Sequence, residues 1–178
     1  MNSRAQSPFI VNLHELPRRA GEMREYHLSF AAPDPIGTPL LEIKSGEKLT
    51  IDFKAEAVSD GVLLTGTVLS RASGECGRCL EVIDRPIAEK FQELYLYENR
   101  GESKDEDSEL FTLDGDFADL EIAIRDAVVL AMPLNPLCRP DCRGLCSECG
   151  ERWDKLESGH SHEKVDPRWS GLSGWKPE

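Results

Sequence analysis

No stretch of the 178 residues stays apolar for the roughly 20 positions a membrane-crossing helix needs. The opening MNSRAQSPFIVNLHEL lacks an apolar core of signal-peptide length and a small-residue cleavage site. These absences point to a cytoplasmic protein with no membrane partner. Cationic charge is also short: 21 Lys and Arg stand against 33 Asp and Glu, a net −12. Phosphate binding depends on Lys and Arg displacing counterions, so the chain as a whole repels free nucleic acid. No serine sits in a nucleophile elbow, no βαβ pattern surrounds a cysteine pair, and no long internal repeat is present. With no catalytic constellation visible, the chain reads as non-enzymatic.

The charge deficit is local. Residues 89–126 hold four basic and thirteen acidic side chains, a net −9, while the segments on either side are nearly balanced. An RNA contact therefore needs a locally basic face or a basic protein intermediary. The length suits one ordinary domain with a small appendage.

Residues 9–16 and 26–30 read as strands, with His14 and His27 structural within them, and the Pro/Gly punctuation of APDPIGTP, residues 32–39, reads as a loop. In LTIDFKAEAV, residues Leu49, Ile51, Phe53, Ala55 and Ala57 alternate onto one face; SDG turns the chain, and VLLTGTVLSR returns as the second arm of a β-hairpin. In residues 82–97, the spacing of Ile87, Phe91 and Tyr95 fits a helix or a strand, and Pro86 with the aromatic-rich end favours the strand. In DFADLEIAIRDAVVLAMP, Leu120, Ile124, Ala127 and Ala131 share a helical face, Asp116 or Asp119 can cap it, and Pro133 ends it. Near the end, Asp166 followed by Pro167 suits the entry of a short helix. The expected fold is α+β: a mostly antiparallel sheet or open barrel, one covering helix near residues 118–132, and a C-terminal zinc-binding tail. The expected division is a β-rich unit over 1–98, an acidic flexible loop over 99–110, a strand and helix completing the domain over 111–137, and the tail over 138–178.

All six cysteines fall in two places, CGRCL at Cys76 and Cys79, and CRPDCRGLCSECG at Cys138, Cys142, Cys146 and Cys149. In a reducing compartment such clusters point to metal rather than disulfides. A C-x2-C pair with a glycine supplies two zinc ligands from one tight turn. His160 and His162, two apart in an extended segment, point the same way and can meet one ion. Eight ligands suffice for two tetrahedral sites. One division groups Cys146, Cys149, His160 and His162, leaving Cys76, Cys79, Cys138 and Cys142 to bridge the β-rich unit and the tail. The other groups Cys138, Cys142, Cys146 and Cys149 as a single local site. The first is preferred, because each knuckle then finds one partner pair; zinc is expected in one site and extends to two if that division holds. The histidines and the C-x2-C-G turn favour zinc over an iron–sulfur cluster.

The order of these pieces resembles the YceD family. The features that carry it are CGRCL after a β-hairpin, the acidic stretch leading to DFADLEIAIRDAVVLAMPLNPLC, the cysteine-rich CRPDCRGLCSECG, and VDPRW near the end. The chain departs from many members by carrying His160 and His162 where they have C-x-C. The resemblance implies a factor for large ribosomal subunit biogenesis that supports accumulation of large-subunit ribosomal RNA. Its implied partners are that RNA or its precursor particle. With the charge map, the expectation is that the acidic block meets a basic ribosomal protein. Arg18, Arg19, Arg24, Arg139, Arg143, Arg152 and Arg168 are then candidate RNA contacts, against the plainer reading of solvated surface. The alternative function is a zinc-stabilised interaction or regulatory module with an acidic binding face; a thiol redox sensor ranks below both.

Overall fold

The computed structural model describes residues 7–97, 111–162 and 168. The acidic stretch 99–110 and the Asp166–Pro167 helix entry lie outside the described residues. The chain forms β1 (Ile10–Asn12), β2 (Met23–Ala31), β3 (Ile36–Thr38), β4 (Leu41–Ile43), β5 (Lys48–Ala57), β6 (Gly61–Glu75), β7 (Val82–Leu96), β8 (Phe117–Asp119) and α1 (Glu121–Ala131).

The alternating segments fold as their pattern dictates. β5 and β6 form an antiparallel hairpin with Ala57 opposite Val62 and Thr50 opposite Leu69. Leu49, Ile51, Phe53, Ala55 and Ala57 are all buried on one face, and Val62, Leu64 and Val68 of β6 continue it. β6 is the spine of the sheet. One edge pairs with β7 from Gly61–Leu96 to Glu75–Val82. The other edge carries β5 and, further along, β4 at Ser73 and Gly74. β2 extends the sheet beyond β5, and β3 beyond β4. The sheet stays open, with β7 outermost on one side of β6 and β2 and β3 outermost on the other among the described residues.

The segment expected as a loop before residue 40 contains β3, paired with β4 through Ile36–Ile43. Gly37 makes this possible, since a Cβ there would lie 2.5 Å from the Leu41 carbonyl oxygen. The strand expected over residues 9–16 is shorter. β1 pairs antiparallel with β8 in a separate two-stranded sheet, and Phe9 packs edge-on against Phe30 of β2 at 4.9 Å.

The helix begins later than expected, because residues 117–119 are recruited into β8. Leu120 occupies the N-cap position without a side-chain cap, and the Asp119 carboxylate accepts the Glu121 N–H at 3.0 Å. The buried side of α1 is Ala123, Ile124 and Val128, continuous with buried Leu120. Ala131, expected on that face, is exposed. α1 packs on β7 and β3, and Arg125 donates to the Pro35 carbonyl at 2.9 Å. The Tyr95 hydroxyl donates to the Asp119 carbonyl at 2.8 Å, joining the far end of β7 to the start of the helix. Among the described residues no helix is long and apolar enough to cross a membrane.

Candidate metal centres

Two C-x2-C turns fold alike. In the first, joining β6 to β7, the Cys76 N–H donates to the Glu81 carbonyl at 2.8 Å, and the Leu80 N–H donates to the Cys76 carbonyl at 3.0 Å. In the second, the Cys146 N–H donates to Glu151 at 2.8 Å and the Gly150 N–H to Cys146 at 2.9 Å. Each turn closes on a glutamate five residues after its first cysteine. The residue at the fourth step takes positive φ in both, 59° at Leu80 and 72° at Gly150.

Gly77, which the sequence suggests as the turn's conformational relief, is not among the positive-φ residues. Its service is space: a Cβ there would lie 1.9 Å from the Asn135 side-chain oxygen. The Gly77 N–H also donates to the Pro136 carbonyl at 2.8 Å. The chain leaving α1 is thereby pinned to the first knuckle, and it delivers Cys138 and Cys142 there.

The sulfur atoms of Cys76, Cys79, Cys138 and Cys142 lie within 4.8 Å of one another. Cys76 and Cys142 are 3.8 Å apart, and Cys79 and Cys138 are 3.6 Å apart. Thiolates about 2.3 Å from a central zinc in a tetrahedron stand about 3.8 Å from each other, whereas a disulfide needs about 2.05 Å. The spacing fits a tetrahedral ion and excludes disulfides, and all six cysteines are free. Cys76, Cys79 and Cys142 are buried and Cys138 is half-buried.

The second group is Cys146, Cys149, His160 and His162, again within 4.8 Å. Cys149 Sγ is 3.6 Å from His160 Nε2, and the Nε2 atoms of His160 and His162 are 2.8 Å apart. Trp153 packs edge-on against the His160 ring at 5.7 Å. This group is more open, with Cys149 and His162 exposed. The grouping matches the division that gives each knuckle one partner pair; the alternative set of four tail thiols is not brought together.

In the metal-free protein, burial pushes the Cys76 thiol up, but the backbone N–H groups of Cys138, Arg78 and Cys79 together bring it down to about 6. The Cys149 and Glu148 backbone N–H groups bring Cys146 down to about 6. Cys138 is pushed up to about 12, by burial first and then by neighbouring thiols. Each cluster thus starts with one easily formed thiolate, and a central cation favours ionising the rest.

The arginines read as RNA contacts are mostly engaged within the protein. Arg139 pairs with Asp154, and with Asp141 at 3.3 Å. Arg152 reaches Glu81 at 2.6 Å and Asp154 at 3.8 Å. Arg143 lies over the Trp153 ring at 5.0 Å. Arg18 donates to Asp116 at 2.6 Å and to the Gly115 carbonyl at 3.0 Å, and it lies over Tyr97 at 5.1 Å. Arg24 pairs with Glu15. Arg19 and Arg168 are exposed. His14 and His27 pair with Asp116 and Asp52. Two further residues shape the first cluster without standing out in the sequence: Arg78, which donates to the Cys142 carbonyl at 2.9 Å, and Glu81. A signal was present: both knuckles read C-x2-C-x-E.

Together these features define a small α+β protein whose open sheet is tied to its C-terminal segment through one thiol-rich cluster, with a second Cys/His cluster inside that segment, both able to hold metal. The chain belongs to the YceD family, described as "Large ribosomal RNA subunit accumulation protein YceD", which matches residues 64–176 and so takes in all eight candidate ligands. The chain is similar to an uncharacterized protein of Mycobacterium tuberculosis, with 41% identity over 167 residues covering 93% of this chain and 80% of the relative. An uncharacterized protein of Mycobacterium leprae is 34% identical over 169 residues, covering 94% and 77%. No solved structure matches the chain.

Proposed function

We propose that this protein is a non-enzymatic factor that supports accumulation of large-subunit ribosomal RNA, its C-terminal segment held to the sheet by zinc. The observation that carries the reading is the family match across 64–176, whose description names that role. Zinc is the metal that suits the donor sets. Four thiolates, or two thiolates and two imidazoles, in a closed tetrahedral arrangement are structural zinc ligands that leave no position for a reacting water. The ions would supply folding energy, and the knuckle residues would orient the ligands.

The charge map shapes the mode of action. A chain at −12 meets RNA through few cations, and among the described residues Arg18, Arg24, Arg71, Arg125, Arg139 and Arg152 already hold carboxylates. Arg19 and the outer side of Arg143 are exposed and suit RNA phosphates. Glu89 and Glu93 of β7 are half-buried, and Asp119 at the helix start is exposed; they suit a basic ribosomal protein on the precursor particle. Cytoplasmic residence follows from this role. Depletion tests the reading: large-subunit RNA should fall relative to small-subunit RNA, and tagged protein should sediment with large-subunit precursors. Normal subunit ratios with no co-sedimentation would reject it in favour of a regulatory module with an acidic binding face.

A further inference from the structure

The two clusters differ in charge. A divalent ion with two thiolates and two imidazoles is neutral, whereas a divalent ion with four thiolates carries −2. The second arrangement falls to the more buried cluster, and a buried charge needs compensation by paired cations. Two arginines stand beside this cluster: Arg152 reaches Glu81, two residues after Cys79, at 2.6 Å, and Arg139 directly follows Cys138.

Arg152 belongs to the other knuckle. It directly follows Glu151, whose carbonyl closes the Cys146 turn, and it is bridged to Leu145. Its guanidinium crosses to Glu81, whose carbonyl closes the Cys76 turn. The side chain is 23% exposed, yet its Nε is enclosed with no hydrogen-bond partner among the described residues. A buried N–H of a charged group without an acceptor is costly. The thiolates of the loaded four-thiolate site are the charge it would answer.

We propose that Arg152 couples the two metal sites into one cooperative unit. Metal on Cys146, Cys149, His160 and His162 fixes the turn that presents Arg152. Arg152, held by Glu81, then offsets the negative charge of the four-thiolate site. By linkage, loading the four-thiolate site raises the affinity of the other by the same factor. Arg152 is a positioning residue, acting through charge and through Glu81 rather than as a ligand. The proposal rests on reading both clusters as metal sites.

The test titrates the full-length reduced chain with Co2+, whose visible bands separate a four-thiolate from a two-thiolate, two-imidazole centre. Arg152→Met should weaken Co2+ binding at the four-thiolate site by about tenfold or more, the usual cost of losing an outer-shell partner. His160→Ala with His162→Ala should weaken that distant site by a similar factor in the parent and have no added effect in Arg152→Met. Glu81→Gln cuts the same link from the other side and should give the same pattern. Unchanged four-thiolate affinity in Arg152→Met, or losses that multiply in the combined variant, would overturn the coupling. Absence of Co2+ bands from the parent would overturn the metal reading, and the coupling with it.

Discussion

Leu80 stands in the first knuckle where Gly150 stands in the second, with φ of 59° against 72° and the same N–H bond back to the first cysteine. A leucine in left-handed backbone costs about 1–2 kcal/mol, and Leu80, 60% exposed, recovers little of that by burial. Leu80→Gly should therefore leave urea stability at or above the parent value. Gly150→Leu should lower it by about 1 kcal/mol or more. A loss of stability in Leu80→Gly, with none in Gly150→Leu, would show that the knuckles are not equivalent turns.

The first cluster joins residues more than sixty positions apart, since Cys76 and Cys142 sit 3.8 Å from each other. Metal binding energy at such a site is folding energy. Cys76→Ser should loosen the segment after α1, and protease cleavage near Pro140 should rise several-fold. Cleavage unchanged from the parent would mean that the Gly77–Pro136 contact and hydrophobic packing hold that segment unaided.

Tyr95 ties β7 to the helix start through its bond to the Asp119 carbonyl. Tyr95→Phe removes the donor and should cost about 1 kcal/mol. Burial first, then the charges of Asp119 and Glu93, hold the phenol above its usual range. The unfolded phenol ionises near pH 10, below the folded one. The neutral-phenol contribution is thus intact below about pH 10 and is lost as pH rises beyond it. Stability of the parent should fall more steeply above pH 10 than that of Tyr95→Phe; parallel profiles would contradict the burial argument.

Binding to the precursor particle separates the two electrostatic modes. Arg19→Glu with Arg143→Glu spares the carboxylate pairs made by Arg18, Arg24, Arg139 and Arg152, so it should reduce an RNA contact without loosening those elements. Glu89→Gln with Glu93→Gln should instead reduce docking on a basic protein. Co-sedimentation lost in the first pair assigns RNA and in the second pair a protein. Both modes weaken with salt, so salt dependence alone does not distinguish them.

Much of the architecture is legible wherever a physical period is strong. The β5–β6 hairpin follows from strict alternation, and β7 from Pro86 set against an ambiguous spacing. That ambiguity has a cause: Arg85, Glu89 and Glu93 lie half-buried between Ile83, Ile87, Phe91 and Tyr95, which leaves apolar residues every fourth position. β3 and β4 were not legible, and β8 only as a strand expected somewhere ahead of the helix within 111–137, because three residues carry no period and their pairing is set by distant strands. The grouping of the eight candidate ligands was legible from two matching turns. The positive φ of Leu80 and the long-range pair of Arg152 with Glu81 were not, since local spacing says nothing of which charged ends meet after folding.

The measurement closest to the central claim is native mass of the purified full chain. Two zinc ions are expected, with one lost in His160→Ala with His162→Ala and the other retained. A single ion indifferent to both histidines would contradict the account.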